Sequence, residues 1–261
     1  VYDSSSDFRV IMITPQRILF LPGASGNTDF WRPVADILTI PGDKIHFGWP
    51  GFGPTPPDPT IQGIDDLVRL VTAEITGPSV LIAQSMGGVI ALLATLEKPG
   101  LVTHLVLTAT SGGMNLAALG AQNWRPAFMA ANPTYPEWFA DYSVDLTDQL
   151  GTLDIPVLLL WGDCDPISPP SVGEKLRSLL PHAELHVLNG GSHDLGLELA
   201  DAVARLIDEH LAMTWQLWRQ DDNGHRFLVG EYQVKADAEA RMAELMVCIH
   251  KQIYWIEQAE K

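Results

Sequence analysis

Three consecutive runs constrain the fold of this 261-residue chain more than any other stretch: Ser79-Val80-Leu81-Ile82, then Ala83-Gln84-Ser85-Met86-Gly87-Gly88, then Val89-Ile90-Ala91-Leu92-Leu93-Ala94. The first is short and apolar and reads as a buried strand; the last reads as a buried helix. A serine on the turn between them, with small residues two before and two after, has the pattern of a nucleophile elbow. The flanks must be small because the turn is sharp and backbone segments crowd there. Such a turn lifts the hydroxyl out of the sheet and aims the helix N-terminus, with its free N–H groups, at developing negative charge. Ala83 takes the first flanking position, where glycine is commonest, and keeps it small. The plain alternative is a buried serine in a glycine-rich turn.

A serine hydroxyl is a weak nucleophile and needs an adjacent base, itself held by a third group. On a strand–turn–helix elbow the partners come in the order acid, then histidine. The run Pro156-Val157-Leu158-Leu159-Leu160-Trp161 reads as a buried parallel strand and ends in Gly162-Asp163-Cys164-Asp165-Pro166. Loops beyond the carboxyl ends of strands are where open α/β sheets place chemistry. The next strand, Glu184–Leu188, leads into Asn189-Gly190-Gly191-Ser192-His193-Asp194. Further strands are expected at Phe8–Ile13, Arg17–Leu21, Lys44–Gly48 and His104–Thr108. Helices are expected from a cap at Asn27-Thr28-Asp29 to about Leu38, over Asp65–Thr76 and over Leu197–Leu211. This alternation predicts the α/β class: a mostly parallel central sheet with helices on both faces.

Taken together, Leu21-Pro22-Gly23-Ala24, Trp49-Pro50-Gly51-Phe52-Gly53, the Ser85 elbow, Gly162-Asp163-Cys164-Asp165 and Gly191-Ser192-His193 resemble the α/β-hydrolase superfamily, over roughly residues 8–211. The resemblance implies Ser85 as nucleophile, Asp165 as acid and His193 as base. Asp163 is the alternative acid; otherwise it is a solvated loop carboxylate or a helix cap. Asp194 adjoins the histidine and cannot easily reach back to orient its ring. The implied oxyanion hole is made by the backbone N–H groups of Met86 and Ala24. Pro22-Gly23 stands where the family often has His-Gly, and the short N-terminal part implies that one leading antiparallel strand is missing. The family's lid falls at about residues 110–153, with Trp124, Phe128, Trp138 and Phe139. These rings either wall a substrate pocket over the serine or staple the lid to the body.

The superfamily domain is expected to span 1–211. Residues 212–261 then form a small β-β-α-β module: Trp215–Arg219, an Asp221-Asp222-Asn223-Gly224 hairpin turn, Arg226–Tyr232, a helix over Ala236–Met246 and Gln252–Glu257. At roughly 50 residues it is too small for a comfortable core of its own, and it is a candidate for self-association or partner binding. A net charge of −16 argues against nucleic acid or an anionic membrane as partner. No run approaches the ~20 apolar residues of a membrane span, and no secretory pattern is visible. The two cysteines, Cys164 and Cys248, sit in different segments, which predicts a reducing, cytoplasmic setting. No metal-ligand spacing and no phosphate-cradling loop occurs, so no cofactor and no metal are expected. The expected activity is a serine hydrolase cleaving a carboxylic ester or thioester of a small-to-medium acyl substrate through an acyl-enzyme. The alternatives are a lyase or carbon–carbon bond hydrolase on the same three residues, and a non-enzymatic, hydrolase-like binding protein.

Overall fold

A computed structural model describes residues 17–116, 119–212, 214–232, 235–247 and 252–259. The expected strand Phe8–Ile13 lies outside them. The described residues form two compact units, one ending at His210 and the other beginning at Leu211.

The larger unit runs β1 (Arg17–Leu21), α1 (Arg32–Ile37), β2 (Asp43–His46), α2 (Ile64–Glu74), β3 (Ser79–Gln84), α3 (Met86–Glu97) and β4 (Val102–Thr108). It continues through α4 (Arg125–Ala131), α5 (Trp138–Asp141), α6 (Thr147–Leu150), β5 (Val157–Gly162), α7 (Pro170–Leu179), β6 (Ala183–Leu188), α8 (Leu195–Glu198) and α9 (Ala200–Leu211). The six strands make one sheet in the order β2-β1-β3-β4-β5-β6, and every pair is parallel. Parallel strands must be joined by crossovers, and the crossover helices cover both faces. Hence β3, β4 and β5 are buried at every position: β5 is apolar nearly throughout, while β3 and β4 carry the apolar stretches Val80-Leu81-Ile82-Ala83 and Leu105-Val106-Leu107 between polar residues. α2 shows the opposite pattern: Leu67, Val68 and Val71 face the core, while Asp65 and Asp66 sit in its first turn. Acidic groups there complement the positive end of the helix.

The start of α1 differs from expectation. Pro33 lies in its first turn and fixes the backbone there, so the helix begins at Arg32. The Asn27 side chain caps a tight turn instead, its Oδ1 accepting the Asp29 N–H at 3.0 Å.

At the start of β4 and the end of α9, His104 and His210 meet edge to face with ring centroids 5.4 Å apart. Both are buried, and His104 Nε2 has no hydrogen-bond partner. Burial lowers His104 from 6.5 to about 3, with the His210 charge adding to the effect. Burial also lowers His210, to about 4, against the opposing pull of Glu184 and the Pro156 backbone. Between pH 6.5 and these values the unfolded chain binds protons that the folded chain refuses. Stability is therefore complete above about pH 6.5 and is lost as pH falls, by up to about 1.4 kcal/mol per pH unit for each ring. Urea unfolding at pH 7 and pH 5 checks this. The double variant His104→Leu/His210→Leu is expected to lose visibly less midpoint between the two pH values than the wild type.

In the smaller unit β7 (Trp215–Gln220) pairs antiparallel with β8 (Arg226–Tyr232) and β9 (Ile253–Gln258), in the order β8-β7-β9. α10 (Lys235–Val247) packs across all three strands. Leu217 and Ala238 are fully buried. Trp218 lies directly opposite Trp255, and their rings stack at 6.3 Å. The β7–β8 connection is longer than a two-residue hairpin. Asp221 Oδ1 accepts the N–H groups of both Asn223 and His225, which pulls five residues into the loop. Gly224 takes the positive φ of +83° that this turn requires.

Candidate active site

Ser85 sits between β3 and α3 with φ 54° and ψ −119°. A side-chain-bearing residue holds such a backbone only where its surroundings over-determine it. Here they do. The Ser85 N–H donates to the Thr108 C=O at 3.0 Å, and the Ser85 C=O accepts the Thr110 hydroxyl at 2.7 Å. The small flanks have physical reasons as well. A Cβ on Gly87 would lie 2.6 Å from the Leu21 C=O, and one on Gly88 would lie 2.6 Å from Thr110 Oγ1. Ala83 is paired with Leu21 and Leu107 on the neighbouring strands and fully buried, so its methyl fits where the commoner glycine would stand.

Asp165 comes after β5 and His193 after β6, both beyond the carboxyl ends of the sheet. Ser85 Oγ lies 3.1 Å from His193 Nε2, and His193 Nδ1 lies 2.8 Å from Asp165 Oδ2. The Asp165 side chain is fully buried. Its Oδ1 accepts the N–H groups of Ile167 at 2.8 Å and Ser168 at 3.0 Å, which holds the carboxylate in one orientation. A carboxylate only accepts, so Nδ1 carries the imidazole proton. Nε2 is then the acceptor for the serine hydroxyl.

The acid and base loops are locked to each other. Cys164 N–H donates to the Gly191 C=O at 2.9 Å, and Asp163 N–H donates to the Leu188 C=O at 3.2 Å. The backbones approach so closely that a side chain on Gly162 would collide with Gly191. Asp163 does not face the imidazole. Its Oδ1 accepts the Gly190 N–H at 2.7 Å, so it is a solvated loop carboxylate that also ties two loops together, and not a helix cap. Asp163 also accepts the Cys164 thiol proton, and that hydrogen bond together with the carboxylate charge raises the thiol's pKa, which disfavours the thiolate. Two further contacts fix the histidine loop. Glu198 accepts both the N–H and the hydroxyl of Ser192, at 3.1 and 2.8 Å, and Gln84 Nε2 donates to the His193 C=O at 3.2 Å. Asp194 stands at the head of α8, where burial raises its pKa.

The loop after β1 reaches the serine: a Cβ on Gly23 would lie 3.0 Å from Ser85 Cβ. Ala24, next in the chain, is buried. Met86 opens α3, so its N–H has no acceptor within its own helix.

Ser85 and His193 open onto a cavity of about 740 Å³. Met86, Val89, Met114 and Leu116 supply apolar wall, and Gln122, Asn123 and Arg125 supply polar wall. Of the four lid rings singled out from sequence, Trp124 and Phe139 line this cavity, while Phe128 and Trp138 do not. Trp138 packs on Phe52 at 5.8 Å and Phe128 on Tyr135 at 5.6 Å. Phe52 is the hub of this cluster and also touches Phe139 and Tyr135 edge-on. Arg125 went unnoticed in the sequence. Its Nη1 donates to the Tyr142 C=O at 2.7 Å, and its guanidinium lies 5.4 Å from the Phe139 ring centre. Tyr142 also lines the cavity. Burial, aided by the Asp65 charge, pushes its phenol up to about 12, so it stays neutral. Among the described residues no group of three or more His, Cys, Asp or Glu side chains could hold a metal ion, and no helix is long and apolar enough to cross a membrane.

Residues 18–206 match the Alpha/beta hydrolase family. The chain is 21% identical to a pimeloyl-[acyl-carrier protein] methyl ester esterase of Legionella pneumophila, over 74% of this chain and 94% of the relative. It is 34% identical over 83 residues to a 2-hydroxy-6-oxononadienedioate/2-hydroxy-6-oxononatrienedioate hydrolase of Cupriavidus pinatubonensis, a match covering 32% of this chain and 26% of that protein. Among solved structures, a thermophilic esterase from Thermogutta terrifontis shares the fold with a TM-score of 0.62 and 23% identity, over 75% of this chain and 89% of the other.

Proposed function

The chain belongs to the alpha/beta hydrolase family, and on that premise we propose that it cleaves a carboxylic ester or thioester of a small-to-medium acyl substrate through an acyl-enzyme on Ser85. The observation that carries this reading is the hydrogen-bonded line Ser85–His193–Asp165, whose serine and histidine line a cavity while the aspartate is buried behind them. His193 Nε2 takes the hydroxyl proton as Ser85 Oγ attacks the acyl carbon. Asp165 keeps the other ring proton on Nδ1 and stabilises the imidazolium. The tetrahedral oxyanion is met by the N–H groups of Met86 and Ala24; one such donor contributes about 3–4 kcal/mol. His193 then gives its proton to the departing alcohol or thiol. In the second half, water loses a proton to His193 and attacks the acyl carbon, which releases the acid and restores the serine. Trp124, Phe139 and the apolar wall receive the acyl group. The strongly negative net charge fits a neutral small molecule better than a polyanion.

The ester named for the Legionella relative supports this reading. The Cupriavidus relative is named for a substrate without an ester, which favours a second one: hydrolysis of a carbon–carbon bond on the same three residues. Hydrolysis of p-nitrophenyl esters and acyl thioesters of increasing chain length tests both. Serine-dependent turnover with an optimum at short or medium chains is expected from a cavity of about 740 Å³. Fluorophosphonate labelling of Ser85 without turnover of any ester or thioester would discard the ester reading in favour of the second. Neither labelling nor turnover would favour a binding protein.

A further inference from the structure

Ser85 and Asp165 are joined by a second hydrogen-bonded path that does not pass through His193. It consists of Thr110, after β4, and Ser168, in the loop before α7; the two are 0% and 2% exposed. Thr110 Oγ1 lies 2.7 Å from the Ser85 C=O and 3.2 Å from the Gly112 N–H. Ser168 Oγ lies 3.2 Å from the Thr110 C=O and 3.2 Å from Trp161 Nε1. The Ser168 N–H donates to Asp165 Oδ1 at 3.0 Å.

The partners fix every proton on this path. A carbonyl only accepts, so the Thr110 proton goes to Ser85 and its oxygen takes the Gly112 N–H. An indole N–H only donates, so the Ser168 oxygen takes Trp161 and its single proton goes to the Thr110 C=O. The bonds on the path therefore fit one arrangement of its two hydroxyl protons. Two side-chain-bearing residues at positive φ flank it, Ser85 at 54° and Ala109 at 48°. Conformations of that kind persist where surrounding bonds hold them.

We propose that Thr110 and Ser168 are positioning residues that set the separation of Ser85 and Asp165, so that His193 finds both partners within hydrogen-bond distance. The catalytic consequence rests on the acyl-hydrolase reading. The histidine loop has other anchors: Glu198, Gln84 beside Ser85, and the backbone bonds that lock it to the acid loop. The Thr110–Ser168 path adds a link between the two ends of the line that does not run through its middle. Misplacement on the scale of an ångström at such a site lowers the rate by up to about a hundredfold without abolishing binding.

Three variants of the full chain test this. Thr110→Val keeps the branched bulk packed against Gly88 and removes the hydroxyl; Thr110→Ser keeps the hydroxyl; Ser168→Ala removes the second bond. The measurements are kcat and KM on a p-nitrophenyl ester, the fluorophosphonate labelling rate, and the downfield proton NMR signal of His193 Nδ1–H in the unliganded protein. Thr110→Val and Ser168→Ala are expected to lower kcat and labelling by about ten- to a hundredfold with KM little changed. They are also expected to shift or broaden the Nδ1–H signal. Thr110→Ser is expected to stay close to wild type on all three. Folded Thr110→Val and Ser168→Ala proteins with wild-type kcat and an unmoved signal would overturn the proposal. So would a loss that Thr110→Ser shares in full. If Thr110→Val does not fold, Ser168→Ala decides by the same criteria. A wild type that neither hydrolyses esters nor labels would refute the acyl-hydrolase reading, and the NMR comparison would still decide the positioning claim.

Discussion

Ser85→Ala is expected to lower kcat on an ester substrate by about a millionfold, the scale of nucleophile removal in other serine hydrolases. KM and the melting temperature are expected to move little. On the proposed mechanism the hydroxyl is the group that forms the covalent bond, and it alone lies 3.1 Å from His193 Nε2 among the described residues. Binding and oxyanion stabilisation alone remain. The fold should tolerate the change because the strained backbone at residue 85 is held by bonds to its N–H and C=O from Thr108 and Thr110, which alanine retains. The vacated His193 Nε2 faces the cavity, where water can satisfy it. Steady-state kinetics beside a thermal melt check both halves. A variant that melts far below wild type would show that the hydroxyl is needed for folding as well.

Asp165→Asn is expected to cost about ten-thousandfold in kcat, and the reason lies in which way the new amide must point. The N–H groups of Ile167 and Ser168 both aim at the Oδ1 position, so the amide oxygen belongs there. The amide NH2 then takes the place of Oδ2, 2.8 Å from His193 Nδ1, where two donors would meet. The imidazole escapes by moving its proton to Nε2, which leaves no base facing Ser85. Asp163→Asn is expected to stay within about tenfold of wild type, because an amide oxygen can still accept the Gly190 N–H. Measuring kcat for the two variants side by side separates the roles, and equal losses would contradict the assignment of Asp165 as the acid.

Much of this arrangement was legible in the sequence, for a physical reason. The inner strands of a parallel sheet buried on both faces are written largely in apolar residues, and the loops leaving the carboxyl ends of its strands all lie on one side of the sheet. Ser85, Asp165 and His193 could thus be placed on the same side, though their distances could not be read. The direction of a side chain within a loop was not legible. Asp163 and Asp165 are two residues apart in one motif, and it is the tertiary packing of the two loops and their backbone hydrogen bonds that turn one toward Gly190 and the other toward the imidazole. The lid rings show the same limit. All four belong to the ring cluster built on Phe52, a residue more than seventy positions earlier in the chain, but only Trp124 and Phe139 also reach the cavity. Arg125, Thr110 and Ser168 carry no motif at all, because their partners are backbone groups and rings brought close only by the fold. The start of α1 is marked in the sequence by Pro33, which favours a first helical turn, while Asn27 lies too far upstream to cap it.

The most direct test of the central claim, that Ser85 is an activated nucleophile, is to treat the wild-type protein with a fluorophosphonate and locate the adduct by peptide mass spectrometry. The account predicts one adduct, on Ser85, formed more slowly in Asp165→Asn and absent from Ser85→Ala. No adduct on a folded wild-type protein, or an adduct on another residue that survives Ser85→Ala, would contradict it.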